Sequence, residues 1–327
     1  MDYNEIIDSI RNFKGVTRKH SIADVREKIK DTYNISGNVH LAFGDDAAAI
    51  NIGNDMLMLL ATDGIWGSLM DLNPWWSGYC SVLVNVNDIA AMGGLPMGMT
   101  NVLSSSNPEI VEQIMDGINE GVKKFGVPMV GGHTHPDTPY DALDVAISGI
   151  VEKEAVIPSC GAKDGDNVIV AIDTDGKVYP GTEINWDTTS DKSPKYVQDQ
   201  IKVMNTIGKN KLVNSAKDIS NPGIVGTLGM LLEASNMGAT INMEDIPKPE
   251  DIDWIKWFMM YPGSGFVLTA SEENTQKALQ LLNKEHIDAN VIGKVNNSHK
   301  LQMTYKNTQK TVFDFTNEAI MGFSMDK

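Results

Sequence analysis

Five aspartates stand where apolar runs end, a position from which carboxylates can bind a metal ion. Asp45 and Asp46 occur in GDDAAAI, Asp63 in LATD, Asp88 in VNDIAAMGG and Asp218 in DISNPG. Mg²⁺ prefers oxygen ligands and is typically held by one or two carboxylates together with substrate phosphates. A single aspartate at such a place is usually a solvated loop residue, but the repeated pattern indicates a metal site.

Two of these aspartates are predicted to face each other in a β-hairpin. The runs DDAAAINI and MLMLLA are typical of strands on either side of a turn at 53–55. With a three-residue loop, the predicted pairs are Ile52 with Met56, Ala48 with Leu60, and Asp45 with Asp63. Carboxylates that lie directly opposite each other are destabilising unless a cation neutralises them. The predicted register therefore supports a metal site at Asp45 and Asp63.

The same hairpin is apolar on both faces, which bears on the assembly of the protein. A strand pair of this kind must be covered on both sides. Helices can cover one face, and the other face needs a second sheet or a second copy of the chain. We therefore expect a homodimer.

Asp88 lies in a predicted buried helix over 74–94, which starts with a proline and ends in a glycine pair. The other positions of this helix are mainly apolar. Asn87 and Asp88 therefore occupy either a solvated edge or a buried site where the charge must be compensated.

Two glycine pairs mark further candidate contacts with an anion. Gly93 and Gly94 close the helix that holds Asp88, and Gly131 and Gly132 end the run VPMV. Bare backbone N–H groups at such pairs can approach a phosphate closely. Most glycine pairs are simple turns, and that alternative stays open.

The histidines allow a zinc site as an alternative. His133, His135 and Asp137 would lie on one side of an extended segment. Three ligands within five residues seldom close a tetrahedral site, and no cysteine or further histidine pair offers a fourth ligand. Zinc is therefore the weaker hypothesis.

Other common signatures of catalysis are absent from the sequence. It has no P-loop, no G-x-G-x-x-G between a strand and a helix, and no G-x-S-x-G nucleophile elbow. Neither Cys80 nor Cys160 lies near a histidine in sequence. The aromatic cluster of Trp254, Trp257 and Phe258 is interpreted as core rather than as a stacking platform for bases.

The elements around these residues predict an α+β chain in three parts. Residues 1–34 have the spacing of a helical arm, and residues 35–154 contain the hairpin, two helices and returning strands. Residues 155–327 are predicted to form a second α+β domain. The polar tract 173–195 within it is interpreted as a lid.

Composition limits the classes of function. The 327 residues carry 43 acidic and 27 basic side chains, a net charge of −16, which argues against binding nucleic acid through its phosphates. Two cysteines are too few for a disulfide framework, and no apolar run is long enough to cross a membrane. The first residues lack the pattern of a signal peptide. We therefore expect a cytoplasmic protein.

In an ordered set of motifs the chain resembles the aminoimidazole ribonucleotide synthetase (PurM-like) superfamily. The motifs are GDDAAAI, ATD, VNDIAAMGG, GGHT, DISNPG and a final GFVLTA…ANVIGKV. The superfamily includes thiamine-monophosphate kinase, selenophosphate synthetase and the hydrogenase-maturation dehydratase, and the resemblance covers about residues 35–300. By overall similarity the chain most resembles the archaeal family called methanogenesis marker protein 2.

The resemblance implies a protein that binds ATP and Mg²⁺. It implies two α/β domains, with N-terminal sheets that form a β-barrel across a homodimer. The implied ligands of Mg²⁺ and of the ATP phosphates are Asp45 or Asp46, Asp63, Asp88 and Asp218. The implied lining of the nucleotide site is Asn87, Gly93, Gly131, Gly132, His133 and Thr134. The chemistry would be phosphoryl transfer, with Asp63 and Asp218 as catalytic residues.

Departures from the resembled families bear on the acceptor. Thiamine-monophosphate kinase has acids at the positions of His133 and Asn221. The N-terminal catalytic cysteine and lysine of selenophosphate synthetase have no match, since the first cysteine is Cys80, and the chain ends in GFSMDK without the cysteine of the hydrogenase factor. Two hypotheses remain. One is an ATP-dependent phosphotransferase in cofactor biosynthesis or metalloenzyme maturation, and the other is a nucleotide-regulated assembly factor without small-molecule turnover.

Overall fold

The computed structural model describes residues 2–323 and begins with a helical arm. The arm consists of α1 (Tyr3–Asn12), α2 (Lys14–Thr17), a 3₁₀ turn (Arg18–Ser21) and α3 (Ile22–Ile29). The apolar stripe of α1, which includes Ile6 and Ile10, is buried in a core that it shares with the C-terminal half. Helix α3 has no fully buried residue, and its Val25 is 62% exposed. The fully buried residues of the arm come from α1 and α2, and Ile22 of α3 packs against the same core.

The N-terminal half is a six-stranded sheet with helices on one face. Its strands are β1 (Val39–Leu41), β2 (Ala48–Gly53), β3 (Met56–Gly64), β4 (Leu95–Ser104), β5 (Met129–His135) and β6 (Ala142–Glu152). Its helices are α4 (Gly67–Leu72), α5 (Pro74–Ala91) and α6 (Pro108–Phe125). The spatial order is β1-β2-β3-β6-β4-β5, and neighbours are antiparallel except β4 and β5.

The predicted hairpin forms from β2 and β3. Ala48 pairs with Leu60 as expected. The predicted pair of Ile52 with Met56 is wrong, because a bulge places Gly53 opposite Met56. Residues 54 and 55 both have positive φ, which is the geometry of a two-residue hairpin turn rather than of a three-residue loop.

Helix α5 confirms the buried helix predicted over 74–94. Asn73 caps it by accepting a hydrogen bond from the backbone N–H of Trp76. Two glycines let it pack closely against α6, because a Cβ at Gly78 or Gly117 would lie about 2 Å from a backbone oxygen of the other helix. The helix is buried along nearly its whole length, so Asp88 is a buried charge and not a solvated edge residue.

The sequence pattern does not predict β4, which lies between β6 and β5. Its sequence, LPMGMTNVLS, contains Pro96 and Gly98, and both are unfavourable inside strands. The structure accommodates them with an irregularity in the ladder to β6 between these two residues. Tertiary pairing on both sides therefore overrides the local preference.

The outer face of the N-terminal sheet is apolar and open to solvent. Leu60 is 44% exposed and Val102 is 40% exposed on this face. Strands β1 and β5 remain the two edges of the sheet, so residues 2–323 of a single chain form no closed barrel. The hairpin was predicted to need a cover on both faces. Within residues 2–323, no element covers the outer face.

Up to residue 323, the C-terminal half contains a seven-stranded sheet, a small three-stranded sheet and four α-helices. The strands are β7 (Asn167–Ile172), β8 (Lys177–Val178), β9 (Asn185–Asp187), β10 (Ser215–Asp218), β11 (Gly238–Asn242), β12 (Tyr261–Pro262), β13 (Gly265–Ala270), β14 (Asp288–Asn296), β15 (Lys300–Tyr305) and β16 (Thr308–Asp314). The helices are α7 (Pro194–Lys209), α8 (Gly223–Ala234), α9 (Trp254–Met259) and α10 (Glu272–Lys284). The large sheet has the order β10-β13-β7-β14-β11-β15-β16, and the small one β12-β9-β8.

One of the two hydrophobic cores is built from both halves of the chain. Leu83 and Ile89 of α5 belong to the same buried cluster as Ile201 of α7 and Phe266 of β13. Residues 324–327, the end of the predicted second domain, lie outside the described part of the chain. Helix α5 and the edge strand β10 therefore bring side chains of both halves to one place.

The tract 173–195 is not the single open loop that was predicted as a lid. It contributes β8 and β9 to the small sheet, and Asn185, Trp186 and Asp187 are buried. The indole N–H of Trp186 donates to the carbonyl oxygen of Asp173 at 3.0 Å. Its exposed stretches lie at 175–177, at 180–181 and at 193–195.

The prediction that the aromatic cluster of Trp254, Trp257 and Phe258 belongs to the core is confirmed. Trp257 and Phe258 are buried in the core and Trp254 packs against it. Among residues 2–323, no helix combines the length and the apolar character that spanning a bilayer requires.

Candidate functional site

Three carboxylates from three different elements converge between the two halves of the chain. Carboxylate oxygens of Asp46, Asp88 and Asp218 lie within 4.8 Å of one another. Asp46 precedes β2, Asp88 lies in α5, and Asp218 is the last residue of β10. Among residues 2–323 this is the one group of three side chains spaced to hold a metal ion.

Asp218 reaches the cluster because β10 ends there and the chain turns sharply. It pairs with Phe266 of β13 at the end of the ladder. Gly223 then starts α8 with φ of +69°, and a Cβ there would lie 1.9 Å from the carbonyl oxygen of Phe258. This position requires glycine, both for its left-handed backbone and for the close approach.

The cluster is electrostatically strained without a cation. Burial and the nearby Asp218 carboxylate raise the pKa of Asp88 well above its usual range. Burial and the Asp46 carboxylate likewise raise the pKa of Asp218. A divalent cation would relieve both penalties, because it favours the ionised carboxylates.

Lys217 supplies a fixed positive charge beside the cluster. Its ammonium group forms an ion pair with Asp46, and the two side chains are only 4% and 5% exposed. It also lies 3.3 Å from the carbonyl oxygen of Gly44 and 3.3 Å from the hydroxyl of Ser159. The sequence analysis missed this residue. The strand SAKD is buried at all four positions, and a lysine directly before a candidate aspartate could have indicated a buried ion pair.

Asp45 does not join the cluster, and its predicted pairing with Asp63 is wrong. Strand β2 begins at Ala48, so Asp45 lies outside the hairpin ladder. One of its carboxylate oxygens accepts a hydrogen bond from the backbone N–H of Ser159 at 2.5 Å. Burial raises the pKa of Asp45 to about 6, although Lys217 lowers it. The sequence left open which of Asp45 and Asp46 belongs to the site, and only Asp46 lies in the carboxylate cluster.

Asp63 lies near the cluster but is not within the group of three. It sits on the inward side of β3, opposite Val145 of β6. Burial raises the pKa of Asp63, and Lys19 and Arg18 of the arm partly counteract this increase. The arm therefore brings two cations close to Asp63.

Asn87 lies next to Asp88 and is buried. Its amide nitrogen donates to the carbonyl oxygen of Pro262 at 3.5 Å. Its side-chain oxygen is buried and has no hydrogen-bond partner among the described residues. An unsatisfied buried oxygen beside the carboxylates can accept a ligand hydrogen or coordinate a cation.

Gly93 occupies a structural position. It caps the end of α5 with φ of +73°, and its carbonyl oxygen accepts a hydrogen bond from the amide of Asn205 at 2.7 Å. A Cβ at Gly93 would lie 2.9 Å from the carbonyl oxygen of Ala155. This packing gives no support to a direct contact of Gly93 with a nucleotide.

The GGHT segment lies on the edge strand β5 and is exposed. One row of paired residues crosses the sheet from Asp63 through Val145 and Asn101 to Gly132. Three strand spacings make this row about 14 Å long. Gly131, His133 and Thr134 are neighbours of Gly132 on the same edge, at the far end of the row from the carboxylates.

The structure does not assemble the alternative zinc site. The rings of His133 and His135 lie 4.6 Å apart on the exposed strand β5. Asp137 follows in an exposed turn, and no set of three ligands in the described chain includes these residues.

Comparisons with known proteins identify a family. Residues 44–151 match the family described as AIR synthase related protein, N-terminal domain, and residues 163–306 match its C-terminal domain. The protein MJ0640 of Methanocaldococcus jannaschii is 48% identical over 98% of this chain and 100% of its own length. Thiamine-monophosphate kinase of Buchnera aphidicola is 25% identical over 96% of this chain and 97% of its own length.

A solved structure shares the fold. T. maritima PurL complexed with ATP has a TM-score of 0.71 at 16% sequence identity, and the match covers 90% of this chain and 49% of the PurL chain. This chain thus spans about half the length of that PurL chain. The helices and sheets described above have the two-domain PurM-like arrangement, and the chain belongs to the AIR synthase related family.

Proposed function

We propose that this protein binds Mg-ATP between its two halves and transfers a phosphoryl group to a small acceptor. The observation that carries the proposal is the convergence of Asp46, Asp88 and Asp218 within 4.8 Å. It is supported by relatives, since one is a thiamine-monophosphate kinase and a PurL structure of the same fold is complexed with ATP.

The donor set fits Mg²⁺ better than a softer metal. All three charged groups are carboxylates, which suit Mg²⁺, and the unpartnered side-chain oxygen of Asn87 adds a neutral oxygen beside them. Bound Mg²⁺ would neutralise charge on the transferring phosphoryl group. Asp46, Asp88 and Asp218 would hold the ion, and Lys217 would keep Asp46 oriented toward it.

The remaining residues would position the two substrates. Asp63 lies next to the carboxylate group on the inward side of β3 and would orient the acceptor at the reacting end. Gly131, Gly132, His133 and Thr134 would line the far end of the nucleotide, since Gly132 lies in the same sheet row as Asp63 and the other three adjoin it on β5. Gly93 would not contact the nucleotide. It would help to hold the end of α5, and with it Asp88, in place.

We further propose that the active protein is a homodimer. The open outer face of the N-terminal sheet carries Leu60 and Val102, and a second copy could cover it. A barrel across the two chains would place the β5 edge near the partner.

Titration calorimetry with ATP and Mg²⁺ tests the proposal. Wild-type protein should bind ATP in a Mg²⁺-dependent manner, and Asp218→Asn should weaken binding at least tenfold because a cluster carboxylate is lost. Asp137→Asn, the same change at an exposed site outside the cluster, should leave binding unchanged. Equal ATP affinity in all three proteins would refute a nucleotide site at the cluster.

Turnover separates the two hypotheses that the sequence leaves open. Release of ADP that depends on a metabolite fraction would support the phosphotransferase. Mg-ATP binding that never leads to turnover, but changes the affinity for a protein partner, would identify an assembly factor.

A further inference from the structure

The ammonium group of Lys217 lies in a cage of oxygen atoms of the kind that binds metal cations. It forms an ion pair with Asp46, and the carbonyl oxygen of Gly44 and the hydroxyl of Ser159 each lie 3.3 Å from it. A carboxylate, a backbone carbonyl and a hydroxyl are hard oxygen ligands, which Mg²⁺ and Ca²⁺ prefer. The ammonium group therefore occupies a position that would suit a metal ion.

Three separate segments of the chain build this cage, and each is held in place. Gly44, which precedes β2, has φ of +102°, a backbone conformation that residues with a side chain rarely adopt. Ser159 lies between the two halves, is fully buried, and donates its N–H to Asp45 at 2.5 Å. Lys217 comes from β10, whose four residues are all buried. The cage is therefore part of the folded interior and not a surface ion pair.

The cage offers more negative charge than the ammonium group neutralises. The second carboxylate oxygen of Asp45 is buried and has no hydrogen-bond partner among residues 2–323. Burial alone would lower the pKa of Lys217, but the carboxylates around it, first that of Asp46 and then that of Asp45, raise it above the ordinary value for lysine. Lys217 thus stays charged inside the protein and acts as a fixed monovalent cation.

Asp46 connects this cage to the carboxylate cluster. Its carboxylate belongs both to the ion pair with Lys217 and to the group of three that it forms with Asp88 and Asp218. In two-metal sites the ions lie about 3.5–4 Å apart, a spacing that the two oxygens of one carboxylate can bridge. Here one of the two positions beside Asp46 holds a cation that the chain itself supplies.

We propose that the Lys217 ammonium group takes the place of a second metal ion, so that each chain holds a single divalent cation in the carboxylate cluster beside a built-in positive charge. The charge of a second ion is then present before metal or nucleotide binds, and it keeps Asp46 ionised and directed to the cluster. This inference rests on the proposed function for the identity of the metal site, but the role of Lys217 is tested without nucleotide.

Titration of the full chain with Mn²⁺, followed by electron paramagnetic resonance, tests the proposal. Wild-type protein should bind about one Mn²⁺ per chain. Lys217→Ala empties the cage and keeps its oxygen atoms, so it should bind about two Mn²⁺, with the broadened spectrum of two ions that share Asp46. Lys217→Met should bind about one Mn²⁺, because its apolar side chain fills the same space.

Lys124→Ala is the matched control, because Lys124 is also a buried lysine but lies outside the carboxylate cluster. Its ammonium group donates to the carbonyl oxygens of Ser190 and Lys192. Lys124→Ala should bind about one Mn²⁺ per chain, as the wild type does.

Ammonium ions provide a second measurement that does not depend on a divalent metal. In EDTA, ammonium chloride should raise the thermal midpoint of Lys217→Ala by about 3 °C more than tetramethylammonium chloride of the same ionic strength, because only the small cation fits the cage. The wild type should show no such difference. If Lys217→Ala does not fold in EDTA, the refolding yield in the two salts replaces the midpoint, and the yield should be higher with ammonium.

Three results would overturn the role of Lys217. They are a second Mn²⁺ in the wild type, no second Mn²⁺ in Lys217→Ala, and equal effects of the two salts on Lys217→Ala. Absence of Mn²⁺ binding in the wild type, together with a specific effect of ammonium on Lys217→Ala, would instead refute the metal site of the proposed function and leave the cation cage standing.

Discussion

Asp45 is a buried carboxylate whose charge the folded protein does not fully compensate. One oxygen accepts the Ser159 N–H, and the other is buried without a partner in the described chain. Because burial raises the pKa of Asp45 from 3.8 to about 6, the folded state binds this proton more tightly than the unfolded state. The contribution of this proton to the free energy of unfolding is complete below about pH 4, and it is lost as the pH rises through 6.

Asp45→Asn should therefore stabilise the metal-free protein at high pH. We expect the free energy of unfolding to rise by about 2–3 kcal/mol at pH 8 and to change little at pH 4, because asparagine resembles the protonated acid. Urea unfolding in EDTA at both pH values measures this. An equal increase at both pH values would show that the effect is packing and not titration.

Lys217 is the cation on which Asp46 depends. Lys217→Met would leave the Asp46 carboxylate buried and uncompensated, so we expect a loss of about 3–5 kcal/mol in stability. The double variant Asp46→Asn/Lys217→Met should recover part of this loss, because the Asp46 charge is removed with its partner while Asp45 and Asp218 still lose the nearby ammonium group. Chemical denaturation of Asp46→Asn, Lys217→Met and the double variant measures the interaction energy between the two side chains.

A matched surface pair provides the control for Lys217. Lys294 pairs with Glu272 at 2.9 Å, but both side chains are more than half exposed. Lys294→Met should change stability by no more than about 0.5 kcal/mol. A cost for Lys217→Met as small as this would mean that Asp46 does not rely on the lysine.

At the scale of elements, the docking of α2 depends on the absence of a side chain at Gly15. In Gly15→Ala the new Cβ would collide with the carbonyl oxygen of Asn221, so the arm must shift away from the C-terminal half. We expect a loss of about 1–3 kcal/mol in stability and faster amide hydrogen exchange over residues 3–29. Mass-spectrometric hydrogen exchange measures both the size and the place of the effect.

Gly67 is the control for this prediction, because a Cβ there would meet nothing within 4 Å. Gly67→Ala should leave the exchange of the arm unchanged. Faster exchange spread evenly over the chain in Gly15→Ala would contradict a local role in docking the arm.

At the scale of the whole molecule, the open face of the N-terminal sheet predicts self-association. Light scattering should report about twice the chain mass of 35.7 kDa. Leu60→Lys should give a monomer with unchanged circular dichroism, because Leu60 lies on the open face and is already 44% exposed. Ile35→Lys, at a residue 83% exposed between α3 and β1, should leave the assembly intact.

A monomer at micromolar concentration in the wild type would exclude the proposed barrel across two chains. A dimer that survives Leu60→Lys would place the interface on another surface. In either case the ATP site could still form, because all three cluster carboxylates come from one chain.

Local patterns in the sequence were sufficient for several elements. Pro108 and the three- and four-residue spacing of apolar side chains predict α6, and the apolar run with its glycine end predicts α5. They were sufficient to select Asp46, Asp88 and Asp218 as candidates, because a charge within or at the end of an apolar run needs a partner. The family also follows from the order of short motifs, because each motif can be recognised in the sequence before the fold is known.

Only the tertiary structure decided which of the candidates meet. Asp46 and Asp218 are separated by more than half the chain, and their meeting depends on the packing of β10 and α5 in one core, which no local period encodes. The same packing separates Asp45 from Asp63, adds Lys217 to the cluster and brings Arg18 over Trp66. Periodicity reports which face of an element is buried, whereas the partners of a buried charge depend on contacts between residues that are distant in sequence.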